Sequence, residues 1–356
     1  MKNIYINGRF ASQSITGVQR YAIEVVKALD LLLDDNPTLK SSFSFILLVP
    51  QKIKFNFNLK NISIKKVGAL SGHLWEQIEL PFYCKNGTLL CLCNTGPILI
   101  KKQYVTIHDA AVFANPRTFS HTFRGWYKTL LPLLSKRIKG IITVSNFSKN
   151  EIAKFLRIKK GKITVIYEGK EHIQKINGDK DYEEEITAYK PYILCVSSLN
   201  PNKNFQGIIE AFKINAPQVN ILIAGKNNSK VFKTIPHFSE EKILFLGYVD
   251  DSKLKTLYQN ALCFVYPSFY EGFGLPPIEA MACGCPVIAS NTSSIPEICK
   301  NAALYCDPYN AQDISHKIIE MVNNTNLQNR CRNNGYEVIS TYTWSECANK
   351  IIRLIL

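Results

Sequence analysis

The sequence predicts an α/β protein of two units, each a parallel sheet covered by helices on both faces. Three observations predict it. Short apolar, β-rich segments alternate with stretches whose apolar residues recur every three to four positions. The alternation is interrupted by one polar, acidic stretch at 168–190 and then restarts. The 356 residues, 46% of them hydrophobic, suffice for two cores of ordinary size.

In order along the chain, strands are expected at 2–7, 43–49, 62–66, 89–93, 104–107, 141–144 and 163–166. Most are near-continuous apolar runs, as a sheet buried on both faces requires. Helices are expected at 18–33, 73–83, 122–136 and 149–156, with Pro132 arguing against a straight third member. Residues 168–190 include Gly178-Asp179-Lys180-Asp181-Tyr182 and three consecutive glutamates. They show no apolar periodicity and read as an interdomain linker. Beyond them, strands are expected at 192–196, 220–224, 243–245, 262–266 and 286–289, and helices at 204–212, 251–259, 277–282 and 311–322. The last residues, 342–356, form an amphipathic helical pattern. Two such units in series put a cleft between them, and ligands of open α/β sheets bind beyond the carboxyl ends of the strands.

Composition narrows the function. The opening residues lead into a strand-like segment and not into the apolar core of a signal peptide, and no apolar run approaches membrane-spanning length. A cytoplasmic chain, peripheral at most, is therefore expected. Eleven cysteines, an odd number, fit reduced thiols. The Cys91/Cys93 and Cys283/Cys285 spacing is not that of zinc ligands, so no metal is expected. Neither unit carries Gly-x-Gly-x-x-Gly after its first strand, which argues against a dinucleotide enzyme. The net charge of +15 is unevenly placed: residues 1–160 hold 24 Lys/Arg against 8 Asp/Glu, and residues 161–356 hold 19 against 20. A basic nucleic-acid-binding protein is one reading, but no recognition helix, RRM or zinc-finger signature accompanies the charge. No nucleic-acid partner is expected.

The most informative segment is Tyr266-Pro-Ser-Phe-Tyr-Glu271-Gly-Phe-Gly-Leu-Pro-Pro-Ile-Glu279-Ala-Met-Ala-Cys-Gly-Cys-Pro-Val-Ile-Ala-Ser290. A buried strand ends at Pro267, a turn contains Gly272 and Gly274, and a helix starts near Leu275 with prolines in its first turn. The N–H groups of such a turn and helix start suit a phosphate. Glu271 precedes the helix and Glu279 lies within it, so both can face one ligand. Lys203 follows a strand and precedes a helix, where an ammonium suits a diphosphate leaving group.

This segment strongly resembles the family-4 retaining glycosyltransferases of the GT-B fold. The resemblance extends through Thr16-Gly17-Val18-Gln19-Arg20-Tyr21, Ile107-His108-Asp109, Thr143-Val144-Ser145-Asn146-Phe147-Ser148-Lys149, Ser197-Ser198-Leu199-Asn200-Pro201-Asn202-Lys203-Asn204 and Phe245-Leu246-Gly247-Tyr248-Val249. It implies two Rossmann-like domains facing each other across a cleft. An acceptor-side domain would span 1–170, a linker 171–190, a donor domain 191–340, and a helix at 341–356 would return to the first domain with Trp344 as a packing anchor. It implies a metal-independent, cofactor-free, retaining transfer of a hexose from a nucleoside diphosphate sugar. In that family Glu279 would bind the donor ribose and Glu271 the transferred sugar. Phe273, Gly274 and Leu275 would offer backbone N–H groups, and Val249 would sit on the donor side. Lys203 would meet the diphosphate, His108 the sugar, and Gly17 the phosphates or acceptor. One departure stands out: the family's second cation, an arginine at Ser198 or at Asn202, is missing. Ile15 to Tyr21 and Gly72-His-Leu-Trp-Glu-Gln77 look like transferases that build bacterial surface polysaccharides, several of which use GDP-mannose. The acceptor would be a glycan or a lipid-linked saccharide. An epimerase of the same fold is the alternative, but it would need further carboxylates and histidines in the cleft.

The basic first half adds a second expectation, docking on the anionic inner face of the plasma membrane. In residues 119–137 aromatic and basic side chains interleave: Arg124, Lys128, Lys136 and Arg137 for headgroups, Phe123, Trp126, Tyr127 and Leu130 for the interface. The competing expectation is that this apolar stripe packs on the sheet.

Overall fold

The computed structural model describes residues 1–196, 200–215, 218–225 and 242–356. They form two compact units, Met1–Gly169 together with Thr343–Leu356, and Lys170–Tyr342.

In the first unit the described strands are β1 (Lys2–Asn7), β2 (Phe43–Val49), β3 (Ser63–Lys66), β4 (Gly87–Cys91), β5 (Gln103–Thr106), β6 (Gly140–Thr143) and β7 (Ile163–Val165). All pair in parallel, in the order β3-β2-β1-β4-β5-β6-β7. Leu47, Leu89, Leu90, Val105, Ile141 and Ile142 are fully buried, the signature of a sheet covered on both faces. The strand order reverses between β1 and β4, which opens a crevice at their carboxyl ends. The helix Gly17–Asp34 starts on a capping box of Thr16 and Gln19. It packs against Trp344–Ile355, with the Tyr21 and Trp344 rings 6.0 Å apart.

Two helices differ from expectation. His121–Arg137 runs continuously through Pro132. Buried Leu130, Leu131 and Leu134 anchor it on both sides of the proline, and this packing outweighs one lost hydrogen bond. Tyr127 and Leu130, expected at a membrane interface, are buried in the unit; Phe123 and Trp126 stay exposed. Residues 72–83 are not one regular helix. Gly72–Leu74 leads into a π-turn, Trp75–Glu79, and then Leu80–Tyr83. Pro81 cannot donate to the helical ladder, and the Leu80 N–H reaches back to the Trp75 carbonyl instead.

In the second unit the described strands are β8 (Tyr192–Val196), β9 (Asn220–Ala224), β10 (Ile243–Gly247), β11 (Cys263–Tyr266), β12 (Val287–Ser290) and β13 (Ala303–Cys306). They pair in parallel in the order β10-β9-β8-β11-β12-β13, with the reversal between β8 and β11. β13 and the helices Ile295–Cys299 and Thr325–Ile339 were not expected. The acidic stretch read as a linker carries two helices, Glu171–Gln174 and Lys180–Thr187. His172, Ile173, Tyr182 and Ile186 are buried there. Two apolar positions per short helix are too few to display a period, so the polar composition misled. Among the described residues no helix is long and apolar enough to cross a membrane.

Candidate active site

The second unit's topology brings two loops together. β8 leads into the loop that carries Lys203, and its neighbour β11 leads into the loop that carries Glu271. Ser198 and its neighbours Ser197 and Leu199 lie outside the described residues. From Asn200 on, the first loop forms a tight turn, Pro201–Lys203, with the Asn200 side chain accepting from the Asn202 N–H. The buried Asn202 then offers its carbonyl to the Phe269 N–H and the Ser268 hydroxyl, each at 2.8 Å. The two loops are thereby stitched together.

The stitching sets Lys203 Nζ 2.7 Å from Glu271 Oε1. The ammonium also donates to the Tyr266 hydroxyl, and Ser268 donates to the same carboxylate. Burial, and then the Glu271 charge, push the Tyr266 phenol well above its ordinary value, so it stays protonated. The Glu271 N–H donates to the Ser293 hydroxyl at 3.1 Å, and the Ser294 hydroxyl serves the Glu271 and Phe273 carbonyls.

Gly274 caps the helix Leu275–Ala282 at φ 104°, a left-handed conformation. The positive φ favours glycine there, and a Cβ, 2.6 Å from Ile295 Cδ1, would also make the tip of that side chain shift. The first helical turn has N–H groups without intrahelical acceptors, and Gly274 and Leu275 sit at that turn. Phe273 and Leu275 bury their side chains. One turn further along, Glu279 is buried. Its Oε1 lies 2.7 Å from His172 Nε2 and its Oε2 accepts from the Tyr258 hydroxyl at 3.4 Å.

Val249 stands apart from this group. It follows β10, the edge strand, roughly 14 Å from β11 at ordinary strand spacing. There it lines a pocket of about 350 Å³ with Tyr182, Ile186, Leu246, Tyr248 and Lys253. The helix Asp251–Asn260 joins pocket and carboxylate, since it carries both Lys253 and Tyr258.

His108 and Gly17 belong to the first unit. His108 follows β5 and is 5% exposed. Its Nε2 lies 3.1 Å from the Leu92 carbonyl and its Nδ1 3.5 Å from Glu168 Oε1, while its N–H donates to Asn94. Both ring nitrogens thus face partners inside the unit. Asp109 accepts at 2.8 Å from the N–H of Ala111, the first residue of the short helix Ala111–Ala114. Gly17 is exposed, and a Cβ on it would meet nothing. Tyr21, one turn later, stacks edge-on against His108 at 4.7 Å and links the two predicted residues.

Residues 179–338 match the family model described as Glycosyl transferases group 1. The chain is 27% identical to O-antigen chain mannosyltransferase B of Escherichia coli, over 95% of both chains. It is 33% identical to O-antigen chain mannosyltransferase RfbU of Salmonella typhimurium, over 66% of this chain and 65% of the relative. Among solved structures, sucrose-phosphate synthase from Thermosynechococcus elongatus aligns over 99% of this chain and 98% of its own, with TM-score 0.77 at 17% identity. HepE from Anabaena, in complex with UDP and glucose, aligns over 100% and 99% with TM-score 0.73 at 16% identity. The fold is GT-B, and residues 179–338 match a glycosyltransferase group 1 domain.

Proposed function

We propose that the protein is a retaining, metal-independent hexosyltransferase. It moves mannose from GDP-mannose to a glycan or lipid-linked acceptor during the assembly of a bacterial surface polysaccharide. The observation that carries this reading is the Lys203–Glu271 pair at the β8/β11 reversal, beside the helix start at Gly274. It offers a cation and backbone dipoles to a diphosphate, with a carboxylate beside them for sugar hydroxyls. The names of the two mannosyltransferase relatives support the choice of sugar and product.

In this reading Glu279 accepts from the ribose hydroxyls, Val249 and its pocket take the nucleoside end, and Glu271 holds the hexose. His108 contacts the transferred sugar, and Gly17 permits close approach of the backbone to a phosphate or the acceptor. As the bond from the anomeric carbon to the phosphate oxygen breaks, negative charge grows on the diphosphate. Lys203 and the N–H groups at Gly274 and Leu275 stabilise it. The acceptor oxygen bonds to the same face of the anomeric carbon, and its proton passes to the departing phosphate oxygen. Transfer takes place on the inner face of the membrane, where the basic first unit meets anionic lipid. The test is a thermal-shift panel of nucleotide sugars, followed by NMR of the product anomer with EDTA present. A GDP-mannose-specific shift and a retained anomer are expected. An inverted anomer or a strict divalent-metal requirement would overturn the mechanism.

A further inference from the structure

The first unit exposes a row of large apolar side chains on residues 72–83. Leu74 is 61% exposed, Ile78 51% and Phe82 66%. They recur every fourth residue and so follow one side of the coil. The opposite side is fully committed: Trp75, Glu76 and Leu80 are buried, and Glu79 accepts from the Ala69 and Leu70 N–H groups at 2.9 Å. The row therefore has no partner within its own unit.

It does not stand alone. His73 packs 5.4 Å from the ring of Trp126, which is 39% exposed. Gln77 donates to the Gly96 carbonyl and accepts from the Ile98 N–H, and Arg137 donates to the Ile98 carbonyl. These bonds join three segments into one surface: residues 72–83, the loop 94–102 with exposed Leu99, and the helix His121–Arg137 with exposed Leu133. The surface is framed by charge of one sign. Between residues 80 and 150 there are ten Lys/Arg and a single acid, Asp109, which accepts from the Ala111 N–H. Lys85, Lys101, Lys102, Lys128 and Arg137 are all exposed.

We propose that this surface docks on an anionic bilayer and sets Leu74, Ile78 and Phe82 into the acyl boundary. Trp126 lies at headgroup level, and the basic rim meets lipid phosphates. The proposal deepens the membrane-peripheral reading above and rests on it. The ridge, a segment distinct from the aromatic-basic helix, is its new element. Charge selects the occupant. A second copy of this chain would bring two positive rims face to face, whereas an anionic leaflet supplies both the apolar layer and the countercharge.

Trp126 supplies the measurement, because Trp75 and Trp344 are buried and silent to lipid. The full chain is mixed with phosphatidylglycerol vesicles, with phosphatidylcholine vesicles, and with phosphatidylglycerol vesicles carrying brominated chains. A blue shift with phosphatidylglycerol, quenching by bromine and weakening with salt are expected. The triple variant Leu74→Ser/Ile78→Ser/Phe82→Ser should cosediment at least about tenfold less. Lys101→Gln/Lys102→Gln/Lys128→Gln should lose most of the salt dependence. Nucleotide-sugar binding, followed in the same samples, checks that the variants fold. Wild-type cosedimentation of the triple variant, or an unmoved Trp126 emission, overturns the proposal. So does a concentration-dependent dimer that the triple variant abolishes, since a second copy would then cover the ridge. A chain that docks as expected but binds no nucleotide sugar upholds the docking surface and sinks the transferase reading.

Discussion

Glu279 is a buried carboxylate of the helix Leu275–Ala282, to which the proposed function assigns the donor ribose. Its two oxygens already face His172 and Tyr258. Burial, and then the Glu279 charge, hold the Tyr258 phenol well above its usual value, so it remains a donor. Glu279→Ala should weaken nucleotide binding by about 1.5–3 kcal/mol, the range of a charge-assisted hydrogen bond, as titration calorimetry would read. Unchanged affinity would sink the ribose assignment. Lys203→Ala should lower turnover about a hundredfold, comparable to removing one preorganised oxyanion donor. Lys203→Arg should restore part of it, because an arginine keeps the charge while changing its reach. Equal rates for wild type and Lys203→Ala would remove this lysine from the chemistry. Both residues were legible in the sequence because strand, turn and helix are contiguous around them. His172, Tyr258, Tyr266 and the Ser293/Ser294 pair were not. Their roles come from the packing of separate elements, and a lone His or Tyr in a polar stretch carries no signal of what it will touch.

At the scale of elements, the π-turn Trp75–Glu79 holds a buried ion pair. Glu76 Oε1 accepts from Arg9 Nε at 3.0 Å and from Asn7 at 2.7 Å, and Oε2 accepts from Thr95 at 2.8 Å. The pair sits at the ends of β1 and β4, where the strand order reverses. Burial alone would raise the Glu76 carboxyl, but Arg9 and the hydrogen bonds prevail and hold it at about 2. Its stabilising effect is therefore complete above the ordinary carboxylate range and fades as pH falls from about 5 toward 2. Glu76→Gln strands the Arg9 charge in the interior and should cost about 3–5 kcal/mol in urea unfolding at pH 7. Near pH 2 the difference from wild type should shrink. A constant difference across that window would contradict the ion-pair account. The motif around Glu76 was visible as a resemblance, and the helix was expected. Its π-turn was not, because periodicity reports which side faces inward and not how the ladder closes. The helix Lys180–Thr187 went unread for a related reason: Tyr182 and Ile186 anchor it with two side chains only.

The whole molecule divides its charge as it divides its fold. The first unit holds 27 Lys/Arg against 10 Asp/Glu, a net of +17, and the second holds 16 against 18, a net of −2. Like charges at that density repel one another and oppose the compact state, and added salt screens them within about 8–10 Å. The second unit, close to neutral, has little repulsion to screen. Trp75, Trp126 and Trp344 all belong to the first unit, so tryptophan emission follows its unfolding alone. Raising sodium chloride from about 10 to 150 mM, roughly a threefold or greater shortening of the screening length, should therefore raise the tryptophan-monitored melting temperature. The same salt should weaken vesicle docking, because one field opposes folding and attracts lipid. A shift in which the second unit, followed through nucleotide-protected stability, gains as much as the first would mean that salt acts through general exclusion from protein surface. A tryptophan-monitored melting temperature that falls with salt would mean that favourable ion pairs such as Arg9–Glu76 outweigh the repulsion. That outcome would reverse the sign assigned here to the first unit's charge.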